Sequence, residues 1–275
     1  MKTYFITVDP DIALYAEQSG VSSIFVDMET RGKAERQGHL DTHKAAHTLA
    51  DVERLASHLT RAELLVRINP PWEGTAEEVT AAVAAGAQRL MLPMFTTPAE
   101  VAQFKRACGA TPVTLLVETS AALARLPAIL PLLGCEDRIH FGLNDLSIDM
   151  KLAFLFEVLV GRLLDGPTAI CRAAGVAFGI GGIGRIGYGD LPADCILGEH
   201  VRLGSDWVIL SRAFHGSVAS LAELRDRIDL EQELQALQRK ALDWKSVAPG
   251  AFEANHARLA ERVAAITGLD EVSDA

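Results

Sequence analysis

Short apolar runs alternate with longer stretches of helical periodicity along most of the chain. The runs are rich in Val, Ile, Leu and Phe and have few polar interruptions, which is typical of parallel strands buried on both faces. Eight of them are predicted as strands, at 4–9, 23–29, 63–69, 89–95, 113–119, 138–144, 176–182 and 206–212. In the segment "TPAEVAQFKRACG" between two strands, Thr97 is predicted to cap a helix whose first residue is Pro98. Eight strand–helix units predict an α/β protein with a closed (β/α)₈ (TIM) barrel.

The pattern beyond residue 230 contains helices only. A first helix aligns Leu230, Leu234, Leu237, Ala241 and Trp244 on one face, and a second aligns Phe252, Leu259, Val263 and Ile266. We therefore predict a catalytic barrel over residues 1–229 and a C-terminal helical extension over 230–275. An amphipathic helix buries one face but does not reveal against what. Two interpretations stay open: the helices pack on their own barrel, or they dock on a neighbouring subunit of a homo-oligomer, which we expect the protein to form.

Composition excludes several classes of partner. The formal net charge of −10 argues against a nucleic-acid role, because phosphate binding needs a basic surface. The longest apolar runs fall well short of the roughly 20 residues that span a bilayer, and "MKTYFITVDP" at the N-terminus has no signal-peptide cleavage motif. The four cysteines lack C-x-x-C spacing and are predicted to be small buried residues, at Cys108, Cys135, Cys171 and Cys195. These features predict a cytoplasmic protein without a membrane partner.

Polar side chains follow most of the predicted strands. They are Asp9, Asp27, Glu29, Arg67, Asn69, Glu118, Asn144, Asp145, Ser211 and Arg212. Chemistry in a (β/α)₈ barrel is built at the C-terminal ends of the strands, so these groups are predicted to converge. Converging carboxylates repel one another unless a cation offsets their charge. Two carboxylates with room for water and substrate oxygens suit Mg²⁺ or Mn²⁺, and we predict Glu118 and Asp145 as ligands of one such ion, with Arg67 as the cationic partner.

The segment "HFGLNDLSIDM" also has a simpler interpretation. Asn, Asp and Ser favour turns by bonding their own backbone, so alone it predicts a strand followed by a turn. Beside the other strand ends it predicts a strand that carries Asp145 to the barrel mouth, with Asn144 and Ser147 supporting it or capping backbone groups. Asp149 is predicted to be a loop or capping residue.

Four motifs, in this order along the chain, resemble those of a known enzyme family. They are "VDMET" (26–30), "VRINP" (66–70), "LLVETSAA" (115–122) and "FGLNDLS" (141–147). Together they are similar to the (β/α)₈ superfamily of metal-dependent 2-oxo-acid (pyruvate) aldolases and citrate lyase β-subunits. The resemblance implies that Glu118 and Asp145 ligate a divalent ion and that Arg67 binds the 2-oxo oxygen of a 2-oxo acid. It implies a class II aldolase that interconverts a 4-hydroxy-2-oxo acid with pyruvate and an aldehyde through a metal-stabilised enolate.

The sequence departs from that pattern at two places. Thr30 stands where the aldolases usually carry a histidine as base, and where the citrate lyase branch usually has a second acid. Leu143 replaces the proline of the aldolase motif "GPxDLS". Two other functions therefore stay open: an acyl-CoA lyase of the malyl-CoA or citramalyl-CoA type, and a non-catalytic barrel that binds a metabolite.

The polar segment 30–47 is predicted to be a functional lid, because long loops in compact domains often are. His39, His43 and His47 are spaced four apart, so they could share one helical face as metal ligands or supply the missing base. His39 or His43 is the predicted replacement for that base. A solvated helix with three histidines is the alternative. Asp27 or Glu29 is predicted to order a metal-bound water, with simple loop ordering as the alternative.

The segment "GIGGIGRIGYG" contains G-x-G-x-x-G, but it follows the seventh strand and does not continue as a helix, which argues against a dinucleotide site. We predict instead that the amides of Gly181 and Gly182 are open to a substrate carboxylate or phosphate, with plain loop flexibility as the alternative. Ser211 and Arg212 are candidates for binding a carboxylate tail.

Overall fold

The fold is a closed barrel of eight parallel strands. The structure is a computed structural model and describes residues 1–32, 47–189, 191–216, 218 and 220–268. The strands are β1 (Lys2–Ile6), β2 (Ser23–Asp27), β3 (Glu63–Arg67), β4 (Arg89–Leu92), β5 (Val113–Val117), β6 (Arg138–Phe141), β7 (Ala177–Ile183) and β8 (Trp207–Leu210). They pair in chain order, and β8 closes on β1. The predicted (β/α)₈ barrel with C-terminal helices is confirmed.

Helices connect the strands and surround them. In the described residues they are α1 (Pro10–Gln18), α2 (Leu49–Ala56), α3 (Thr75–Ala84), α4 (Pro98–Cys108), α5 (Ser120–Ile129), α6 (Leu143–Asp149), α7 (Glu157–Val160), α8 (Asp165–Ala173), α9 (Ala193–Leu203), α10 (Arg212–His215), α11 (Leu221–Arg227), α12 (Leu230–Ser246) and α13 (Pro249–Thr267). Helix α4 begins as predicted: Thr97 forms a capping box with Glu100, and Pro98 is its first residue.

Most predicted strands extend too far at their C-terminal ends. Strand β1 stops at Ile6 rather than residue 9, β4 at Leu92 and β8 at Leu210. The apolar run continues past these points, but the hydrogen-bonded pairing does not, because the chain turns outward into the loops. Asp9, predicted to end the first strand, instead caps α1, where its Oδ1 accepts the N–H of Ile12 at 2.9 Å.

Large side chains fill the barrel interior. Six strands contribute one buried residue each to a single cluster: Tyr4, Phe25, Leu65, Met91, Leu116 and Trp207. Below it, at the N-terminal ends of the strands, Glu63 accepts hydrogen bonds from Arg89 and Arg138. The Arg138 guanidinium lies 3.9 Å from the centroid of the Trp207 ring. Outside the sheet, a larger apolar core packs between strands and helices.

The two C-terminal helices pack on α9 of their own chain. The Nε1–H of Trp244 donates to Oδ1 of Asp194 at 3.0 Å, and Nδ2 of Asn255 donates to the Cys195 carbonyl at 2.9 Å. A Cβ on Gly198 would lie 2.5 Å from the Asn255 amide nitrogen, so glycine permits this close approach. The two helices therefore pack on their own barrel, which was the first of the two interpretations. Formation of a homo-oligomer stays a prediction.

Burial on these helices follows the predicted faces with one exception. The first face is buried at Leu230, Leu234, Leu237, Ala241 and Trp244, and the second at Leu259 and Val263, with Phe252 partly buried. Ile266 is 44% exposed, because it lies in the last turn of α13.

Two further predictions concern the cysteines and membranes. Cys108, Cys171 and Cys195 are buried as predicted, but Cys135 is exposed, because it lies in the surface turn before β6.

In the part of the chain that the structure describes, no helix combines the length and apolar character that a bilayer span requires.

Candidate active site

Three of the predicted site residues continue the alternation of inward-facing side chains along their strands. Side chains on one face of a strand recur every second residue. Asp27, Arg67 and Glu118 each come two positions after an interior apolar residue, namely Phe25, Leu65 and Leu116. Asp27 and Arg67 pair directly across β2 and β3, and Glu118 follows the last residue of β5. They therefore lie just above the apolar interior, at the C-terminal end of the barrel. With Glu29 and Asp145, they are called the mouth cluster.

Arg67 is held by two carboxylates. Its Nε and Nη2 each donate to an Asp27 carboxylate oxygen at 2.8 Å, and Nη2 is 3.3 Å from Oε2 of Glu29. Burial opposes the charge, but Asp27, Glu29 and Glu118 more than offset it, so the pKa of Arg67 is raised. Nη1 has no hydrogen-bond partner among the described residues. Because the side chain is 15% exposed, Nη1 is the nitrogen suited to a substrate oxygen.

Glu118 is buried in an unfavourable place for a negative charge. Its exposure is only 2%. Burial raises the pKa of Glu118 to about 8. The charges of Asp145 and Glu29 also raise it, whereas the charge of Arg67 lowers it. Its Oε1 accepts the N–H of Met94 at 3.0 Å, which also favours the charged form. Met94 has a φ of 52°, a left-handed conformation that is uncommon outside glycine, and no sequence signal marked it.

Asp145 lies near Glu118, but not at the end of a strand as predicted. Strand β6 stops at Phe141, and Asn144 and Asp145 belong to the first turn of α6. The turn-forming residues start a helix here because Gly142 lies at its N-cap, with its N–H bonded to the carbonyl of Val117. A Cβ on Gly142 would lie 2.8 Å from Oε2 of Glu118. Glycine therefore lets α6 begin directly against the glutamate.

The donor set fits a divalent ion. Glu118 and Asp145 are oxygen donors whose mutual repulsion a cation would relieve. The described residues contain no group of three or more His, Cys, Asp and Glu side chains arranged to hold a metal. Mg²⁺ is commonly bound through one or two carboxylates while it keeps several waters. The protein would thus supply two ligands and leave the other positions to water and substrate.

One of the three predicted histidines reaches the mouth cluster. Nδ1 of His47 accepts the backbone N–H of Asp27 at 2.9 Å, which requires that Nδ1 carry no proton. His39 and His43 lie outside the described residues, so their role stays a prediction. Since the carboxylate of Asp27 is bonded to Arg67, the ordering of a water by Asp27 or Glu29 also stays a prediction.

Asn69 ties the loop after β2 to the loop after β3. Its Oδ1 accepts the N–H groups of Thr30 and Arg31, each at 2.9 Å, and the Thr30 hydroxyl at 3.2 Å. Its Nδ2 donates to Oε1 of Glu78 at 2.8 Å. Thr30, which stands in place of the expected histidine, is thus part of a loop-ordering network.

The predicted glycines and Ser211 lie on the opposite side of the mouth. Gly181 and Gly182 are inside β7 rather than in a loop, at an irregularity in its pairing with β8. A Cβ on Gly181, whose φ is 41°, would lie 2.8 Å from Leu143, so close packing against α6 explains this glycine. Ser211 directly follows β8 and precedes Arg212, the first residue of α10. Binding of substrate by these groups stays a prediction.

Asp149 has the capping role predicted for it, and His140 is a buried histidine that was not predicted. Asp149 accepts the N–H of Ser120 at 2.7 Å and so caps α5, as predicted. His140 is fully buried in the barrel, where burial lowers its pKa to about 4. Its Nε2 therefore carries the proton and donates to the Gly181 carbonyl at 3.0 Å. The alternation along β6, with Arg138 and His140 on one face, was the signal that could have found it.

Fold and site together define a class of protein: a parallel (β/α)₈ barrel in which Arg67, at the C-terminal end, lies among the carboxylates of Asp27, Glu29 and Glu118, with Asp145 beside Glu118. The chain belongs to the HpcH/HpaI aldolase/citrate lyase family, whose model matches residues 3–178. Membership supports a lyase of the aldolase or citrate lyase type, and the family is generally dependent on a divalent metal.

Two solved structures share this fold. The HpcH/HpaI aldolase from Desulfitobacterium hafniense DCB-2 is 16% identical, with a TM-score of 0.62 over 90% of this chain and 94% of that one. The HpcH/HpaI aldolase/citrate lyase family protein from Burkholderia cenocepacia J2315 is 17% identical, with a TM-score of 0.59 over 89% and 95%. At these identities the likeness shows the fold alone. No curated protein matches the sequence.

Proposed function

We propose that the protein is a divalent-metal-dependent carbon–carbon lyase that interconverts a 4-hydroxy-2-oxo acid with pyruvate and an aldehyde. One observation carries the proposal: Glu118 is buried beside Asp145 and faces the Arg67 guanidinium. Such an arrangement is costly for a structural site, because buried like charges repel. It suits a site that gains a cation and an anionic substrate.

Glu118 and Asp145 would hold the ion, Mg²⁺ or Mn²⁺, and orient it towards the open mouth. When bound, the ion would withdraw electron density from the 2-oxo oxygen and so stabilise negative charge that forms there. Nη1 of Arg67 would donate a second interaction to the same oxygen. Because Asp27 holds the other edge of the guanidinium through two hydrogen bonds, Nη1 is fixed in direction before substrate binds.

The proposed reaction requires no oxidant or reductant. In the cleavage direction a base removes the proton of the 4-hydroxyl and the C3–C4 bond breaks. Its electron pair forms the C2–C3 double bond, and the π pair of the 2-oxo group moves to its oxygen. An aldehyde and the enolate of pyruvate result, and protonation of the enolate at C3 yields pyruvate. The base is predicted to be His39 or His43. Replacing each by Asn should lower turnover by orders of magnitude while metal binding persists, and unchanged turnover in both variants would contradict this assignment.

Exchange of the pyruvate methyl protons tests the proposal without the correct aldehyde. The protein is incubated with Mg²⁺ or Mn²⁺ and pyruvate in deuterated water, and loss of the methyl signal is followed by NMR. We expect metal-dependent exchange that Asp145→Asn abolishes. The matched control is Asp149→Asn. Asp149 lies on the same helix as Asp145, and its carboxylate caps α5.

Other outcomes support other functions. Exchange of acetyl-CoA in place of pyruvate would indicate an acyl-CoA lyase, and neither exchange nor metal binding would indicate a barrel that only binds a metabolite. Either result would overturn the aldolase proposal.

A further inference from the structure

A histidine lies inside the barrel, one layer below the mouth cluster. His140 pairs with Leu116 across β6 and β5, and Glu118 follows Leu116 by two residues. The His140 side chain is fully buried. Within the described residues its ring makes one hydrogen bond, from Nε2 to the carbonyl oxygen of Gly181 at 3.0 Å, and Nδ1 has no partner. Burial of a polar ring is costly unless its hydrogen bonds are made, so the bond to Gly181 is the contact that accounts for a histidine here.

The ring packs against an irregularity of β7. From Gly179 to Gly182 this strand advances three residues, while its partner β8 advances two, from Trp207 to Ile209. This is a β-bulge, a feature that often lies next to active sites and bends the strand that carries it. Among the described strand pairs, only β7 and β8 show such a shift in register. A Cβ on Gly179 would lie 2.4 Å from Nδ1 of His140, so the ring occupies space that a glycine leaves open.

The hydrogen bond from His140 holds the centre of this bulge. Gly181 has a φ of 41°, a conformation that glycine adopts without steric cost. It has no partner residue in the register of β6 or of β8. A buried backbone carbonyl outside the strand pairing needs another donor, and Nε2 of His140 supplies it. Without this donor, the bulge would lose the bond that keeps the Gly181 carbonyl turned towards the barrel interior.

Gly181 also contacts the helix that carries Asp145. A Cβ on Gly181 would lie 2.8 Å from Cδ1 of Leu143, which is buried and is the first residue of α6. Asp145 follows Leu143 by two residues in the same turn. On the other side, the N–H of Gly142 bonds to the Val117 carbonyl at the end of β5. The first turn of α6 is therefore held by β5 and by the bulge of β7. Because protein interiors are close-packed, a shift of Gly181 would move Leu143 and with it Asp145.

We propose that His140 is a positioning residue for Asp145: it holds the Gly181 carbonyl, and thereby the bulge of β7 against which Leu143 and the first turn of α6 pack. The inference rests on the proposed function, in which Asp145 binds the divalent ion. Loss of a group that orients a metal ligand typically lowers the affinity for the metal about 10- to 100-fold. His140 itself touches neither the ion nor the substrate, so its effect should be seen first in the affinity for the ion.

Titration of the protein with Mn²⁺, followed by the electron paramagnetic resonance signal of the free ion, measures this affinity without turnover. His140→Met keeps a long side chain but removes the donor, and it should weaken Mn²⁺ binding about 10- to 100-fold. His140→Gln places an amide nitrogen close to the position of Nε2, so it can donate to Gly181 and should restore most of the affinity. Rescue by glutamine but not by methionine would not be expected if His140 only filled space.

A double-mutant cycle tests the path through Leu143. Leu143→Ala breaks the contact with Gly181, so adding His140→Met to it should lower the Mn²⁺ affinity far less than His140→Met does alone. Additive losses would overturn the inference. Gly181→Ala places a Cβ 2.8 Å from Leu143 and should also weaken Mn²⁺ binding, and it carries the test if His140→Met does not fold.

The control variant is Asn255→Leu. It removes another buried side-chain donor to a backbone carbonyl, since Nδ2 of Asn255 bonds to the Cys195 carbonyl at 2.9 Å on the outer helices. Urea unfolding gives the stability of each variant. Asn255→Leu should lose stability and keep the wild-type affinity for Mn²⁺. An equal loss of affinity in this variant would overturn the inference.

The same titration separates this inference from the proposed function. If the wild type binds Mn²⁺, Asp145→Asn abolishes the binding and His140→Met leaves it unchanged, the role of His140 alone is refuted. If the wild type does not bind Mn²⁺, or Asp145→Asn binds it as well as the wild type does, the proposed metal site is refuted and the role of His140 with it.

Discussion

Replacement of Glu118 by glutamine should remove a loss of stability that the metal-free protein undergoes as pH rises. Burial raises the pKa of Glu118 from 4.5 to about 8. A carboxyl whose pKa is raised binds its proton more tightly in the folded than in the unfolded chain. Its contribution to the free energy of unfolding is therefore lost as pH rises from 4.5 towards 8.

The size of the effect follows from the shift. At about 1.4 kcal/mol per pKa unit, the full shift corresponds to roughly 5 kcal/mol. Glu118→Gln mimics the protonated acid at every pH, so it should match the wild type near pH 4.5 and exceed it by up to roughly 5 kcal/mol at pH 8 and above.

The assay is urea unfolding in the presence of EDTA between pH 5 and 8.5, with Asp149→Asn as control. Stability curves of wild type and Glu118→Gln that stay parallel across this range would refute the reasoning. Metal binding provides an independent check. Because the ion must displace a proton from Glu118 below pH 8, its affinity should rise with pH up to that point and then level off.

Three further changes test other parts of the structure. Arg67→Lys removes the double hydrogen bond to Asp27 and should lower kcat about 100-fold, measured by pyruvate formation; a loss below threefold would contradict it. Gly142→Ala places a Cβ 2.8 Å from Glu118 and should cost about 1–3 kcal/mol and weaken Mn²⁺ binding, measured by thermal unfolding and titration. For Glu17, burial opposes the charge but backbone bonds outweigh it, so its pKa is lowered. Glu17→Gln should destabilise by about 2 kcal/mol at pH 7 and less as pH falls below 4.5, since the wild type loses that contribution there; a pH-independent difference in urea unfolding would count against this.

Site residues could be predicted from the sequence where they lie on strands, because side chains along a strand alternate between the two faces of the sheet. Asp27, Arg67 and Glu118 could be predicted because each continues an interior series of apolar residues. The element that carries Asp145 could not, since "GLNDLS" fits a turn and a helix start equally well until Gly142 meets Glu118. Such a choice depends on contacts between segments distant in sequence, not on local propensity.

Interactions made by the backbone were also beyond prediction. The N–H of Met94 reaches Glu118 because Met94 has a φ of 52°. A methionine in a sequence does not indicate this left-handed conformation. The bond from the Asp27 N–H to His47 joins residues separated by a long polar segment. The sequence favoured His39 or His43 as the base, both outside the described residues, and gave no reason to expect His47 at this position.

The two ends of the barrel differ in how their carboxylates are paired, and this difference supports the proposed site at the C-terminal end. At the N-terminal end Glu63 bonds to both Arg89 and Arg138, and Arg89 also donates to the Val113 and Glu136 carbonyls. The carboxylate charge there is offset within the protein, so this end needs no ligand. At the C-terminal end, within the described part of the chain, Arg67 forms ion pairs with Asp27 and Glu29. Burial and the charges of Asp145 and Glu29 raise the pKa of Glu118 to about 8. On the proposed function, a divalent ion held by Glu118 and Asp145 would offset the repulsion that raises the pKa of Glu118.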